Sequence, residues 1–329
     1  MVWDEIMEFF KGDKIYNFMG KRLPFLGFST ILVVASLVLL FTKGVNFGID
    51  FAGGTLVQVK YEKAAPIDKI RDILNKTKEY KNSSITKFGS DDEIIIRVTT
   101  STNSVSSDLS DEIRNVLAST GNFEIRRVDI VGPKVGGELR EKGLMAFVLS
   151  LIVIMIYVSF RFEWRFALAS ILALVHDVTI ALGAVSLFGI EVNLDILAAI
   201  LTLLGYSLND TIIVFDRIRE GVQTSKESDL STVVNDSVSR TLSRTTLTSL
   251  TTFFVVATLY FFGGEIINGF AFTLLVGIIV GTYSSIFIAA SFLVQLKFSI
   301  DDFRAKEVEK IKKQKEKEKM RAMYEQGTV

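Results

Sequence analysis

The chain has 329 residues, 49% of them hydrophobic, with a mean hydropathy of +0.38, yet 22% are charged, so the charges must be segregated into blocks between apolar runs. Lys plus Arg and Asp plus Glu number 37 each, and this zero balance gives no general argument for binding nucleic acid. Cysteine is absent and His176 is the single histidine, which excludes disulfide staples, cysteine metal centres and multi-histidine sites. Ser-His chemistry would have to use that one residue.

Residues 1–23 carry Trp3, Ile6, Met7 and Phe10 at helical spacing, an amphipathic segment that suits either a membrane interface or the protein's own surface. A first uncharged run, 24–42, is flanked by Lys21, Arg22 and Lys43. It lies too deep in the chain, and lacks the small-residue cleavage pattern, to read as a removable signal peptide. Within the polar block 43–142 the pattern becomes that of a soluble domain. Residues 55–61 read as a strand, 67–78 as an amphipathic helix, 84–88 and 93–99 as strands joined by a Gly89-Ser90-Asp91-Asp92 turn, 107–119 as a helix and 123–131 as a strand. The order βαββαβ predicts a small α+β ferredoxin-like sandwich. Its sequence shows no catalytic constellation, so a docking surface is expected of it.

Five more runs follow at 143–160, 166–188, 194–215, 245–262 and 269–296, each near the roughly 20 residues a spanning helix needs. The fold predicted is a polytopic α-helical membrane protein with six transmembrane helices and the α+β domain inserted between the first and second. The loop 161–165, the segment 216–244 and the two flanks carry arginine or lysine, whereas 189–193 and 263–268 carry neither. By the positive-inside rule both termini face the cytoplasm and the inserted domain the other side of the membrane. The tail 297–329 is dominated by Lys and Glu, as expected of a solvated face, with contact to anionic lipid or RNA as the alternative.

Asp210 stands inside the fourth run, about six residues, or roughly 9 Å of rise, from Asp216 at its cytoplasmic edge. An ionised carboxylate at such depth costs several kcal/mol, so it is paired, hydrated or used. Arg244 immediately precedes the fifth run, and antiparallel packing would bring it to a similar depth. Asp210 and Arg244 are therefore the candidate ion pair and proton relay, with Arg240 one turn earlier as a competitor. A fixed salt bridge pinning two helices is the alternative. Ser207, Asn209, Thr211, Thr245, Thr248, Ser249 and Thr251 are the polar groups available to surround the carboxylate. His176 and Asp177, in the third run, are secondary candidates that would extend a proton path or make a packing hydrogen bond. Asp195 belongs at the outer interface, and Gly269, Gly277 and Gly281 suggest close helix contacts.

Several motifs stand out together: Gly48-Ile49-Asp50-Phe51-Ala52-Gly53-Gly54, then Val131-Gly132-Pro133-Lys134-Val135-Gly136-Gly137-Glu138-Leu139, and Arg161-Phe162-Glu163-Trp164-Arg165. The stretch from Asn209-Asp210-Thr211 to Glu220, and Thr241-Leu242-Ser243-Arg244-Thr245 with Thr248-Ser249, complete the set. Together they resemble SecF, an accessory membrane subunit family of the bacterial Sec export machinery within the resistance-nodulation-division superfamily, whose inserted domain faces the periplasm. The resemblance implies a multi-pass protein of the bacterial inner membrane whose inserted domain is the family's P4. It implies SecD as the complementary six-span half, the SecYEG channel and YajC as further partners, and the translocating preprotein as cargo. Membrane lipid surrounds the spans, no specific nucleic acid is involved, and protons rather than a cofactor supply coupling. By motif, Asp210 matches the family's proton-linked carboxylate and Arg244 its partnering arginine, beside a carboxylate from SecD. Arg240 departs from the uncharged or acidic residue usual in relatives, and Gly221 from the usual asparagine. A small-molecule or lipid exporter of the superfamily and a passive translocon scaffold are the competing readings; no nucleophile, base and oxyanion constellation supports an enzyme.

Overall fold

The computed structural model describes residues 14–77, 80, 83–98, 106–225, 227, 229–296 and 298–325; the amphipathic residues Trp3, Ile6, Met7 and Phe10 lie outside them. Among the described residues six helices are long and apolar enough to cross a membrane. They are α1 (Arg22–Thr42), α5 (Pro133–Arg161), α6 (Trp164–Phe188), α7 (Leu194–Thr224), α8 (Leu230–Phe262) and a last span. That last span comprises α9 (Glu265–Ser284), one π turn (Ser285–Ala289) and α10 (Ala290–Gln295). The helices extend past the uncharged runs that announce them, because segments such as 230–244 are polar but still helical. Asp229 caps α8, accepting from the backbone N–H groups of Ser231 and Thr232 at 3.3 and 3.0 Å.

Two tiers of helices result. In the most apolar window of α6, α7 and α9–α10, 61%, 50% and 56% of residues are buried, against 11%, 11% and 17% for α1, α5 and α8. The inner three carry the membrane core around Phe166, Leu174, Ile196, Leu203, Leu204 and Phe215. The outer three leave long apolar faces open, as lipid or a second protein would require. Glycines bring the inner helices close: a Cβ on Gly277 would lie 2.5 Å from Leu203, and one on Gly281 3.1 Å from Ser207.

The inserted domain has β1 (Gly54–Tyr61), α3 (Ile67–Lys76), β2 (Ser84–Phe88), β3 (Ser90–Val98), α4 (Ser106–Leu117) and β4 (Phe123–Val131). Its sheet is antiparallel in the order β2-β3-β1-β4, the arrangement of a ferredoxin-like split βαβ unit. Val57, Val59, Ile94 and Ile96 point to one face, where Ile70 and Leu74 of α3 and Ile113 and Leu117 of α4 close the core. The expected four-residue turn is shorter: β3 begins at Ser90, and Gly89 at φ +72° makes the reversal. A register shift between Lys87 and Phe88 absorbs the tightness of that turn.

The glycine motifs form the joint between domain and bundle. After the short helix α2 (Ile49–Ala52), Gly53 takes φ +77°, and a Cβ there would lie 2.8 Å from Pro133 Cα. A Cβ on Gly136 would lie 2.9 Å from Gly53 N and 3.0 Å from the Phe51 carbonyl. Asp50 Oδ2 accepts from Leu194 N at 3.1 Å, helping Asn193 cap α7, while Gly48 N donates to the Val192 carbonyl at 2.9 Å. Gly54 starts β1, Gly132 is the extended N-cap of α5, and Glu138 is exposed on α5. At the opposite end α11 (Ile300–Glu325) carries the charged tail as a helix. Its Arg304 donates to the carbonyls of Val222 and Ser225 at 2.8 and 2.6 Å, tying it to the α7–α8 turn.

A buried polar cluster as the candidate functional site

Asp210 is 1% exposed, and Ser249 Oγ of α8 donates to its Oδ2 at 3.0 Å. Thr245, one turn earlier on the same face of α8, is buried with no partner for its hydroxyl among the described residues. Thr211 Oγ1 donates to the Ser207 carbonyl at 3.1 Å and lies 3.0 Å from Ser285 Oγ at the start of the π turn. Asp210, Thr211, Thr245 and Ser249 thus point inward together.

Among the described residues no ion pair joins Asp210 to Arg244, which is exposed on α8. The reason is helix phase. Consecutive residues are about 100° apart, so the step from Arg244 to Thr245 carries the face from outside to inside. Thr248 shares the outer face and donates back to the Arg244 carbonyl at 3.0 Å. Asn209 likewise faces outward from α7. Arg240 does not compete for Asp210: its Nε binds both oxygens of Asp236 at 2.9 Å, one turn away on its own helix. The exposed faces of α7 and α8 therefore include small and polar residues at membrane depth, Thr202, Gly205 and Asn209 beside Arg244, Thr248 and Thr251.

The secondary candidates form the more highly connected site. Asp177 of α6 is 0% exposed; its Oδ2 accepts from Ser207 Oγ at 2.5 Å and Ser284 Oγ at 2.8 Å, and its Oδ1 lies 2.8 Å from His176 Nδ1. Ser284 and Ser285 are consecutive, reaching Asp177 and Thr211 respectively. The π turn that starts there widens the helix where both hydroxyls are used. Sequence reasoning did not single out Ser284 or Ser285, because hydroxyls are common in apolar spans and nothing in their spacing marks which ones face a carboxylate. The Ser207 hydroxyl serves Asp177 and its carbonyl serves Thr211, the residue that follows Asp210 in sequence.

A six-span bundle with two buried carboxylates, a joint of interlocked glycines and a ferredoxin-like insertion defines a multi-pass membrane protein. Comparison with known proteins makes this specific. Residues 111–299 match the family model "Protein export membrane protein SecD/SecF, C-terminal", and residues 38–65 match "SecD/SecF GG Motif". The protein translocase subunit SecF of Helicobacter pylori is 50% identical over 98% of this chain and 100% of its own length. That of Escherichia coli O157:H7 is 38% identical over 91% and 93%. The crystal structure of SecDF from Thermus thermophilus, described as a translocon-associated membrane protein, superimposes with a TM-score of 0.77 at 36% identity. The match covers 87% of this chain and 39% of the solved one. The chain belongs to the SecD/SecF family, as a protein of the SecF type, and is not an enzyme.

Proposed function

We propose that this chain is a proton-motive-force-coupled subunit that acts with a SecD-type half to promote late steps of preprotein export through the Sec channel. The observation that carries the reading is Asp210, buried at membrane depth with, among the described residues, a single hydroxyl donor and no ion-pair partner, while the exposed faces of its helix and the next include Arg244. A guanidinium on the outward face of a spanning helix is costly against lipid and calls for a partner that brings an acceptor. The match covers 39% of the solved SecDF chain, and the larger part it leaves over is what this reading assigns to the SecD-type half. Both termini are assigned to the cytoplasm and the inserted domain to the periplasm by the basic loops.

In this mechanism the charge of Asp210 changes as protons cross between the halves. One proton moving down 100 mV releases about 2.3 kcal/mol, enough to bias a two-state contact across the α7–α8 face. The glycine joint at Gly53 and Gly136 transmits helix movement to the inserted domain, which handles the emerging preprotein. Because the chain lacks cysteine, single cysteines can be placed cleanly. Asn209→Cys and Thr248→Cys are expected to cross-link to SecD, and Asp210→Asn to abolish proton-dependent export while preserving that cross-link. Absence of cross-linking at both positions, or normal export by Asp210→Asn, overturns the proposal.

A further inference from the structure

Gly137, Arg140, Leu144 and Phe147 recur at three- and four-residue steps along α5, so they share one face of that helix, with Glu141 beside Arg140. That face borders a groove of about 670 Å³. Phe47 and Phe51, packed edge to face 6.2 Å apart at α2, complete its lining with Val178 and Leu182 of α6 and Leu197 and Ile200 of α7. Leu144 is 65% exposed and Val178 4%, so the groove opens outward from a buried floor. Both connections of the inserted domain, the Phe47–Phe51 segment and the start of α5, border it. We propose that this groove binds one phospholipid with a zwitterionic phosphoethanolamine headgroup, its phosphate on Arg140, its ammonium on Glu141 and an acyl chain against the apolar lining below.

Depth and charge select this occupant. The apolar run of α5 starts at Gly143, which puts Arg140 about 4.5 Å above the hydrocarbon edge, in the headgroup layer on the side of the inserted domain. Its guanidinium stands 5.6 Å from the Phe47 ring centroid, and among the described residues neither Arg140 nor Glu141 has an ion-pair partner. From there to Phe147, about 10 Å along α5, the lining is apolar apart from Gly143. Charge at headgroup height with hydrocarbon beneath it is the profile of a phospholipid standing in one leaflet. A guanidinium offers paired N–H donors to phosphate oxygens, and a carboxylate accepts from a primary ammonium. Opposite charges on adjacent residues fit a zwitterion, whereas Glu141 repels a headgroup that is only anionic. A spanning helix of a partner would need a track of about 30 Å, far longer than this groove.

Occupancy of the groove is independent of the proton-coupled function proposed above. The full chain in nanodiscs of equal parts phosphatidylethanolamine, phosphatidylglycerol and phosphatidylcholine, released into detergent and weighed by native mass spectrometry, should keep one phosphatidylethanolamine after the other lipids are stripped. Arg140→Gln should lower that retention roughly tenfold, through loss of one charge-assisted contact. Glu141→Gln should turn the preference toward phosphatidylglycerol, and Leu144→Trp, which narrows the opening, should lower retention of all three lipids. Arg140, Glu141 and Leu144 are exposed, so these substitutions leave the packed core alone. A phosphatidylethanolamine carrying a photoreactive acyl chain should label the segments around Phe147 and Leu197. Equal retention of the three lipids by the parent chain, or retention unchanged by both Arg140→Gln and Leu144→Trp, overturns the proposal. So does loss of the lipid on assembly with a SecD-type chain to which Leu144→Cys cross-links, since the groove is then a protein interface.

Discussion

Gly136 and Gly137 are consecutive in α5 and differ in what a methyl group at each would touch. At Gly136 the added Cβ would lie 2.9 Å from Gly53 N, 3.0 Å from the Phe51 carbonyl oxygen and 3.1 Å from its carbon; at Gly137 nothing lies within 4 Å. Replacing either by Ala gains roughly 0.8–1 kcal/mol of helix propensity, so this term cancels when the two variants are compared. The remainder is overpacking against backbone atoms that cannot rotate away, about 1–3 kcal/mol. Gly136→Ala is therefore expected to be less stable than Gly137→Ala by about 1–3 kcal/mol. Thermal unfolding of both in the same nanodisc, followed by tryptophan fluorescence, measures the difference. Cleavage of the joint by added protease should rise in Gly136→Ala alone. Equal melting and equal cleavage would refute the interlocked joint.

Gly183 packs against Ser36 of α1, and a Cβ there would lie 2.8 Å from Ser36 Cα, so Gly183→Val should separate α1 from α6 at a cost of about 1–3 kcal/mol, read as lower thermal stability. Asp50→Ala removes the acceptor for Leu194 N and should cost about 1 kcal/mol, seen as faster amide exchange in the first turn of α7. The Thr232 hydroxyl and backbone, with Ser231 N and the charge of Arg22, hold the Asp229 carboxyl below its ordinary value. A lowered carboxyl contributes stability above its unfolded-state value, lost as pH falls through the folded one. Acidification should thus fray the first turn of α8 in the parent chain, and Asp229→Ala, about 1 kcal/mol weaker at neutral pH, should lose that pH dependence in amide exchange.

The spans and the βαββαβ order were legible because uncharged runs near 20 residues and alternating strands are strong periodic signals. Their limits were less so. α8 begins at Leu230 rather than near Thr245, since helix formation needs a cap and propensity, not hydrophobicity. Depth could be read for Asp210 and Arg244, but facing could not. One residue of phase decides whether Arg244 or Thr245 turns inward, and the contact of Ser249 with Asp210 shows the phase that packing of α8 against α7 sets. His176 and Asp177 look secondary in the sequence because the donors to Asp177, Ser207 and Ser284, lie 30 and 107 residues away on other helices.

The most direct measurement compares preprotein export with and without a proton gradient in vesicles carrying this chain, SecD and SecYEG. The parent chain should export faster with the gradient, Asp210→Asn should export at the gradient-free rate under both conditions, and Asp210→Glu should recover part of the stimulation. Stimulation of Asp210→Asn equal to that of the parent chain would contradict the account.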